Sequence, residues 1–326
     1  MTDIKRRSFL LALTGSVSSA MTASHAETHL HPRQRIGKAV EVTSSANFYT
    51  QHYRHIPEVD FETWSLTVLG VNEYVLKWND IRSLPAVETM RTLTCIGNPV
   101  GGAFIGNAVW KGIRLVDVLG NLPMPPDSTF ARLTALDGYE TALSIDQLLH
   151  PDTLLAYQMN SAPLPREHGY PIRLLIGGTY GSKMPKWISR IAFINYEFKG
   201  YWESRGWSNR ADIQTHAMIF SPRTLEKISG TVLIQGAAFA GYREITQVEV
   251  RIDGGEWIPA SLVKGDSSLA WTQWYLEWTP ATPGKYSLEA RATDSTGFTQ
   301  FVENHALHNK PDGASAIHKI VVEVLA

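Results

Sequence analysis

The sequence predicts a mixed α+β domain over residues 47–215, followed by a β-sandwich of immunoglobulin type over residues 216–326. The length of 326 residues, with 44% hydrophobic and 19% charged residues, suits two domains, or one large one, with ample core. Strand-like and helix-like segments interleave in the first part. Short alternating strands at regular spacing, without a helical segment, make up the second part.

Four segments supply the predicted elements of the first part. Trp64–Leu69 alternates apolar and polar residues, as a strand does, and Tyr170–Ile176 is typical of a buried strand that two glycines end. Val109–Leu119 is expected to start at a turn and continue with helical spacing. Ser144–Leu149 is expected to form a short helix with Ser144 as its N-cap.

Period-two strands dominate the second part. In Thr246–Ile252 the apolar residues share one face of the strand and the charged residues share the other. Asp253–Gly255 follows as a turn that tolerates positive φ. The other predicted strands are Gly230–Phe239, Trp274–Trp278 and Tyr286–Ala292.

The N-terminus has the pattern of a twin-arginine signal peptide over residues 1–26, with an extended lead-in over residues 27–46. Arg6 and Arg7 precede a short apolar run, Phe9–Leu13, and small residues at Ser24–Ala26 suit cleavage. The alternative is a basic, disordered tail. Twin-arginine export predicts a periplasmic protein that crosses the membrane folded, which favours a buried cofactor.

Cys95 is the chain's single cysteine, and it stands between a strand-like run and a glycine-rich loop. Its thiolate could bind a soft metal or act as a nucleophile, whereas the alternative is a buried, inert thiol; composition leaves both open. No cysteine pair indicates zinc. The net charge of −1 argues against a nucleic-acid partner.

A second group of residues, His168, Arg173 and Lys186, surrounds the glycine-rich turn Gly177–Gly181. Positive and hydrogen-bonding side chains beside free backbone N–H groups can hold a phosphate. The alternative is that Arg173 points from a strand into solvent and that Lys186 ends the next strand.

These residues belong to a series of motifs that together resemble the sulfite oxidase family of molybdenum-cofactor oxidoreductases, in its bacterial exported branch. The similarity covers nearly all of the chain after residue 47, and the motifs keep the family's order and spacing. They are Phe48–His52 with Ile56–Asp60, Thr94–Asn98, Trp110–Leu119, Asp137–Tyr139, His168–Arg173 with Lys186–Trp187, Val248–Trp257 and Arg291–Gly297.

The resemblance implies that Cys95 gives its thiolate to molybdenum, which also binds the two sulfurs of a single molybdopterin. The reaction would be oxygen-atom transfer, and the cofactor would carry its chemistry. The implied cofactor-binding residues are Cys95, His168, Arg173, Lys186, Met184 and Pro185, with Tyr49, His52 and Asp137 at positions that contact the cofactor in similar proteins.

Three positions depart from the sulfite oxidases, which have arginine where this chain has Gln51 and Pro99, and tyrosine where it has Trp207. The substrate position of sulfite, a dianion, needs fixed positive charge. Gln51 and Trp207 are therefore candidate catalytic positions of a less basic pocket, although Trp207 could equally serve packing. Arg54, Arg205 or Arg210 could replace the missing charge.

Three functions follow as hypotheses. The first is an exported oxidoreductase for a small sulfur or nitrogen compound less anionic than sulfite, and the second is a sulfite dehydrogenase. Since the chain has no Cys-x-x-Cys-His haem motif, both need a separate electron carrier, such as a c-type cytochrome or a membrane redox subunit. The third is a cofactor-free binding module. The resemblance also implies a homodimer formed through the C-terminal domain.

Overall fold

The computed structural model describes residues 40–120, 122–301 and 310–326. The signal peptide expected over residues 1–26 and most of the expected lead-in lie outside these ranges. Val40 and Thr43, at the described end of the lead-in, are buried, and the Thr43 N–H donates to Asn107 O at 2.6 Å. Within the described ranges, no helix is long and apolar enough to cross a membrane.

Ten strands and several short helices form the first part of the chain. The strands are β1 (Ser65–Leu69), β2 (Glu73–Lys77), β3 (Ala86–Thr94), β4 (Ile105–Arg114), β5 (Phe130–Ala135), β6 (Glu140–Ser144), β7 (Leu154–Met159), β8 (Ala162–Pro163), β9 (Arg173–Leu175) and β10 (Ile188–Ile194). The α-helices are α1 (Trp78–Arg82), α2 (Leu115–Leu119) and α3 (Ile145–Leu148), and the 3-10 turns are Arg166–His168, Gly181–Lys183 and Glu203–Arg205.

These strands form two sheets, with the orders β2-β1-β10-β5-β6 and β3-β4-β7-β8, and β9 pairs with β7. The first sheet is mixed, because β1 runs parallel to β10 while its other pairs are antiparallel. One apolar core joins the two sheets, with Leu66 and Leu133 from the first and Trp110 and Leu155 from the second.

The first part contains more strand than the sequence predicts. Val109–Arg114, expected to start at a turn, instead continues β4, where every residue from Val109 pairs with β3 or β7. Helix α2 begins only at Leu115 and buries Leu115, Val118 and Leu119 as expected. Strand β9 is shorter than the predicted Tyr170–Ile176, and α3 begins after Ser144, whose capping box with Gln147 confirms the predicted N-cap.

Strands alone make up the second part within the described residues. They are β11 (His216–Ser221), β12 (Lys227–Ile228), β13 (Val232–Phe239), β14 (Ile245–Ile252), β15 (Trp257–Pro259), β16 (Ser261–Val263), β17 (Thr272–Trp278), β18 (Gly284–Asp294) and β19 (His318–Val324). Two sheets result, with the orders β11-β13-β17-β16 and β12-β19-β18-β14-β15.

The two sheets of the second part share a core in which Val248 and Val250 of β14 belong to the same apolar cluster as Trp274 of β17. Glu249 and Arg251 occupy the opposite face of β14, as its alternation predicts. Asp253 and Gly254 adopt φ angles of 50° and 67°, which confirms the turn expected after β14.

Candidate active site

The loop between β3 and β4 presents Cys95 at the end of a cavity. Strand β3 ends at Thr94, after which the Cys95 N–H donates to Phe104 O at 2.9 Å and Cys95 O accepts the Asn98 N–H at 3.0 Å. The Asn98 side chain accepts the Phe104 N–H at 3.0 Å. These bonds close the loop on itself, so the thiol is held by a fixed backbone.

A cavity that opens to solvent lies beside Cys95. Segments from distant parts of the chain form its walls. The lining residues are Phe48–Tyr53, Leu93, Cys95–Gly97, Tyr139, His168, Arg173, Gly181, Ser182, Met184–Lys186, Trp202 and Trp207. The structure therefore brings together every predicted site residue except Asp137.

Two glycines of this loop are required by neighbouring side chains of the protein and not by the approach of a bound group. Gly101 has φ 72°, and a Cβ there would lie 2.0 Å from Nε2 of His318, on the C-terminal strand β19. A Cβ on Gly102 would meet the Asn98 side chain at 2.3 Å. Gly97 alone of the three lines the cavity.

Arg173 and Lys186 bring two cations side by side into the cavity. Their backbones pair as an isolated antiparallel bridge, and the Leu174 N–H donates to Pro185 O at 3.0 Å. Burial lowers the pKa of Arg173 to about 10, and burial followed by the charge of Arg173 lowers the pKa of Lys186 well below its usual value. Neither cation has a carboxylate ion-pair partner among the described residues.

The contacts of both cations leave capacity for an anion. Arg173 Nη1 donates to His168 O at 3.0 Å, while its buried Nε has no hydrogen-bond partner among the described residues. Lys186 Nζ donates to Glu167 O at 2.8 Å and to His52 Nδ1 at 2.7 Å. An uncompensated buried cation is costly unless a ligand supplies the opposite charge.

The two cavity histidines are neutral at pH 7, because burial, followed by the adjacent cation, lowers the pKa of each to about 4. The adjacent cation is Lys186 for His52 and Arg173 for His168. Nε2 of His168 lies 3.0 Å from Ser45 O, and since a carbonyl only accepts, this nitrogen carries the proton. Nδ1 of His52 accepts from Lys186, so its proton is on Nε2.

Burial also raises the pKa values of the Cys95 thiol and the Tyr49 phenol, and Cys95 adds to the rise at Tyr49. The phenol therefore stays protonated and can donate a hydrogen bond. The thiol is not preactivated as a nucleophile, because a reactive cysteine needs a lowered pKa. A soft metal ion would reverse this, since coordination deprotonates a thiol.

The cavity fits a molybdenum–molybdopterin cofactor. Cys95 offers one soft ligand, and among the described residues no group of three His, Cys, Asp or Glu side chains could hold a metal by itself. Further ligands would come from the bound group, as the pterin's sulfurs provide. The adjacent cations Arg173 and Lys186, with the unpartnered Nε of Arg173, match a phosphate.

Asp137 is buried behind the wall. Its carboxylate accepts the Tyr139 N–H at 2.9 Å, and Tyr139 in turn lines the cavity and donates through its hydroxyl to Ser182 O. The Asp137–Tyr139 motif therefore contributes its tyrosine to the cavity wall, and not the predicted aspartate. Trp202, which lines the cavity with Trp207, lies outside the motifs that predict the site.

The three arginines considered as substitutes are not among the residues that line the cavity. Arg54 lies over the Tyr53 ring at 4.9 Å, and Arg205 lies over the Tyr201 ring at 3.6 Å. Arg210 pairs with Asp212 at 2.8 Å. Gln51 and Trp207 do line the cavity, so these two predicted positions add no charge to its lining, and the nearest cation to the Trp207 ring is Lys310, whose Nζ lies 5.5 Å from the ring centroid.

A family model, the oxidoreductase molybdopterin binding domain, matches residues 53–202. Sulfite oxidase of Arabidopsis thaliana is 30% identical over 79% of this chain and 82% of its own length. Mitochondrial sulfite oxidase of Homo sapiens is 28% identical over 78% of this chain, which spans 56% of the human protein.

A solved structure shares the overall fold. The sulfane dehydrogenase SoxCD of Paracoccus pantotrophus superposes with a TM-score of 0.75 over 96% of this chain and 95% of that chain, at 20% identity. The likeness supports the sulfite-oxidase-type fold across both parts of the chain. The sequence matches establish more: the chain belongs to the sulfite oxidase family of molybdopterin-dependent oxidoreductases.

Proposed function

We propose that this oxidoreductase transfers an oxygen atom to or from a small sulfur- or nitrogen-containing substrate that is less anionic than sulfite. The observation that carries the proposal is the composition of the cavity lining, in which Gln51, Trp202 and Trp207 add uncharged side chains and Arg173 and Lys186 are the only cations among the lining residues. A sulfite dianion would need fixed cations of its own. An S-oxide, an N-oxide or an uncharged organosulfur compound would not.

The chain's own residues would hold the cofactor from one side. Cys95 would supply the protein thiolate, while Arg173 and Lys186, with neutral His168, would anchor the pterin phosphate by charge-assisted hydrogen bonds. Tyr49, His52, Met184 and Pro185 would complete this side of the cavity. When bound, the molybdenum cofactor supplies the two-electron oxygen-atom transfer.

The other side would receive the substrate. Trp202 and Trp207 provide apolar surface that excludes water, and the Gln51 amide can donate to or accept from an oxygen on sulfur or nitrogen. The Tyr139 hydroxyl donates to Ser182 O, so its proton is not available to a substrate. The protein would thus orient the substrate without supplying a general acid there.

We further propose a periplasmic location after twin-arginine export, and a separate electron carrier, such as a c-type cytochrome or a membrane redox subunit. The N-terminal Arg6–Arg7 pattern supports the first proposal. The chemistry supports the second, because oxygen-atom transfer moves two electrons that a carrier must remove or supply. The two packed sheets of strands β11–β19 support an immunoglobulin-like interpretation of the C-terminal part, which we propose as a dimerisation domain by analogy.

A substrate panel tests the proposed function. The holoenzyme is assayed with artificial electron carriers in both directions, using sulfite, dimethyl sulfoxide, phenyl methyl sulfoxide and trimethylamine N-oxide. We expect a higher kcat/KM for a neutral substrate than for sulfite. A preference for sulfite would instead identify a sulfite dehydrogenase, and purified protein without molybdenum or pterin, from a host that makes the cofactor, would favour a binding module.

Gln51→Arg sharpens the same test. We expect this variant to raise kcat/KM for sulfite relative to a neutral sulfoxide by about tenfold, because one charge-assisted contact is worth about 1.5 kcal/mol or more. Gln51→Lys is the matched control for charge without the planar guanidinium fork. An unchanged ratio in both variants would mean that residue 51 does not contact the substrate.

A further inference from the structure

A buried ion pair lies directly behind the cavity wall. Lys183 Nζ donates to Glu203 Oε1 at 2.6 Å, to Asn209 Oδ1 at 2.8 Å and to Thr141 Oγ1 at 3.0 Å. The two charged side chains are 0% and 2% exposed. Three acceptors for the three N–H bonds of an ammonium saturate Lys183, and burial lowers its pKa although Glu203 opposes the shift.

The pair joins two segments that line the cavity. Lys183 lies between Ser182 and Met184, which both line the cavity, in the segment that continues to Lys186. Glu203 lies in sequence between Trp202 and Trp207, which also line the cavity. The ion pair therefore connects the side that would hold the cofactor to the turn that carries both indoles.

We call residues 200–208 the indole turn. Most of its backbone hydrogen bonds are internal, such as Gly206 N–H to Glu203 O at 3.1 Å. Its outward backbone bonds run from Tyr201 N–H to Glu140 O at 3.4 Å and from Ser208 N–H to Pro311 O at 2.9 Å. At its exposed end Lys310 donates to Arg205 O and lies 5.5 Å from the Trp207 ring centroid. The Lys183–Glu203 pair is the contact at its centre that excludes water.

Fold stability does not explain a buried ion pair. Removing two charges from water costs about as much as their attraction returns, and apolar residues of similar volume often serve a core equally well. An ion pair does fix direction, because its hydrogen bonds restrict the two backbones to one relative position. Here the ion pair would fix the position of Trp207. Its ring lies close to the Cys95 loop, because Cζ2 is 3.7 Å from the place that a Cβ on Gly97 would occupy.

We propose that Lys183 and Glu203 are positioning residues that fix the indoles of Trp202 and Trp207 on the substrate side of the cavity and so set its affinity for substrates with an apolar or aromatic group. The proposal rests on the proposed function, since it requires the substrate to lie between these indoles and Cys95. The substrate class it implies is an organic sulfoxide or sulfide rather than an inorganic oxyanion.

Fluorine NMR of the holoenzyme, labelled with 5-fluorotryptophan, tests the proposal without turnover. Trp202→Phe and Trp207→Phe assign the two resonances among the ten tryptophans. The test variants are Glu203→Gln and the double variant Lys183→Met/Glu203→Leu. Glu289→Gln is the matched control, since Glu289 is an equally buried, ion-paired carboxylate in the C-terminal sheets. We expect the Trp207 resonance to shift or broaden in both test variants and to stay unchanged in the control.

Kinetics with phenyl methyl sulfoxide gives the second readout. We expect KM to rise about tenfold in both test variants with kcat within about twofold, because the lost contact is one of binding. The double variant should recover the thermal stability that Glu203→Gln loses, since it leaves no unpaired buried charge. If the pair served stability alone, the double variant would regain the wild-type KM and the wild-type Trp207 resonance together with its stability.

Three results would overturn the proposal. They are a wild-type Trp207 resonance in the double variant, a KM that returns with stability, and a double variant that does not fold. Failure of the proposed function would look different. In that case the wild-type holoenzyme would turn over no sulfoxide or sulfide, while the Trp207 resonance would still report whether the pair fixes the indole.

Discussion

Arg173 in the cavity and Glu289 on the outer face of β18 are both buried charges, with 6% and 2% exposure, but their surroundings differ. Glu289 accepts from Lys319 at 2.9 Å and from Arg251, and a neighbouring pair joins Arg291 to Glu249 at 2.8 Å. Arg173 lies beside a second cation, Lys186, and has no carboxylate ion-pair partner within the described residues.

The difference separates two uses of buried charge. On the outer face of the C-terminal sheet, cations and carboxylates alternate across strands, so each buried charge has an ion-pair partner within the protein. In the cavity two adjacent cations have no ion-pair partner among the described residues, and the charges of Asp137 and Glu167 oppose the lowered pKa of Lys186 only in part, so a bound anion would offset the remaining cost. A buried charge without a protein partner therefore indicates a ligand site, whereas a buried charge with partners indicates structure.

The largest expected effect concerns the thiol beside those cations. Cys95→Ser should lower turnover by more than about a hundredfold, because a hydroxyl is a far poorer ligand for a soft metal than a thiolate. The cofactor-free variant should unfold within about 2 °C of wild type, since serine nearly matches the volume of cysteine. Turnover at the wild-type rate would contradict a ligand role for Cys95.

Arg173→Met tests the unpartnered cation. It should lower the molybdenum content of protein from a host that makes the cofactor, because the phosphate loses a charge-assisted contact. In protein made without cofactor it should raise the free energy of unfolding by about 2 kcal/mol, since it removes an uncompensated buried charge of similar length. Molybdenum content and stability that both stay at wild-type values would remove the basis for the comparison.

Glu289→Gln tests the partnered carboxylate and should have the opposite pattern. It should lower the free energy of unfolding by about 2 kcal/mol, because Arg251 and Lys319 lose their shared counter-charge. Molybdenum content and KM should not change. Urea unfolding of cofactor-free protein and metal analysis of the holoenzyme measure the two quantities, and a loss of molybdenum here would mean that the two regions are coupled.

Sequence alone predicts those parts of this molecule where the signal is local. Alternation in Thr246–Ile252 predicted which residues of β14 share the buried face, and Ser144 predicted the start of α3. The Cys95 and His168–Arg173 motifs identified residues that the cavity unites, because their spacing belongs to a family pattern. Val109–Arg114 was misread, since Gly112 interrupts a strand that pairing with β3 and β7 stabilises on both sides.

The remainder depends on contacts between distant segments. Lys183 and Glu203 look like ordinary surface charges in the sequence, and only the fold gives each the other as a partner. Gly101 is needed chiefly because His318, from the last strand, occupies the space of its side chain. A local pattern carries no information about which distant residue fills the adjacent volume.

The smallest expected effect tests a third case, a buried base that is neutral. His318 Nδ1 accepts the Ile219 N–H at 2.8 Å, and burial lowers the pKa of His318 to about 4. The unfolded chain therefore binds the proton first, and stability falls as pH drops from about 6.5 towards 4, by up to roughly 3 kcal/mol for this one group.

His318→Gln, whose amide oxygen can accept the same N–H, should flatten the pH dependence of the urea midpoint in cofactor-free protein between about pH 7 and about pH 4.5. Part of the pH dependence should persist in this variant, because burial also lowers the pKa of His168. A slope equal to that of wild type would show that His318 is not the group whose protonation loosens the contact between β19 and the Cys95 loop.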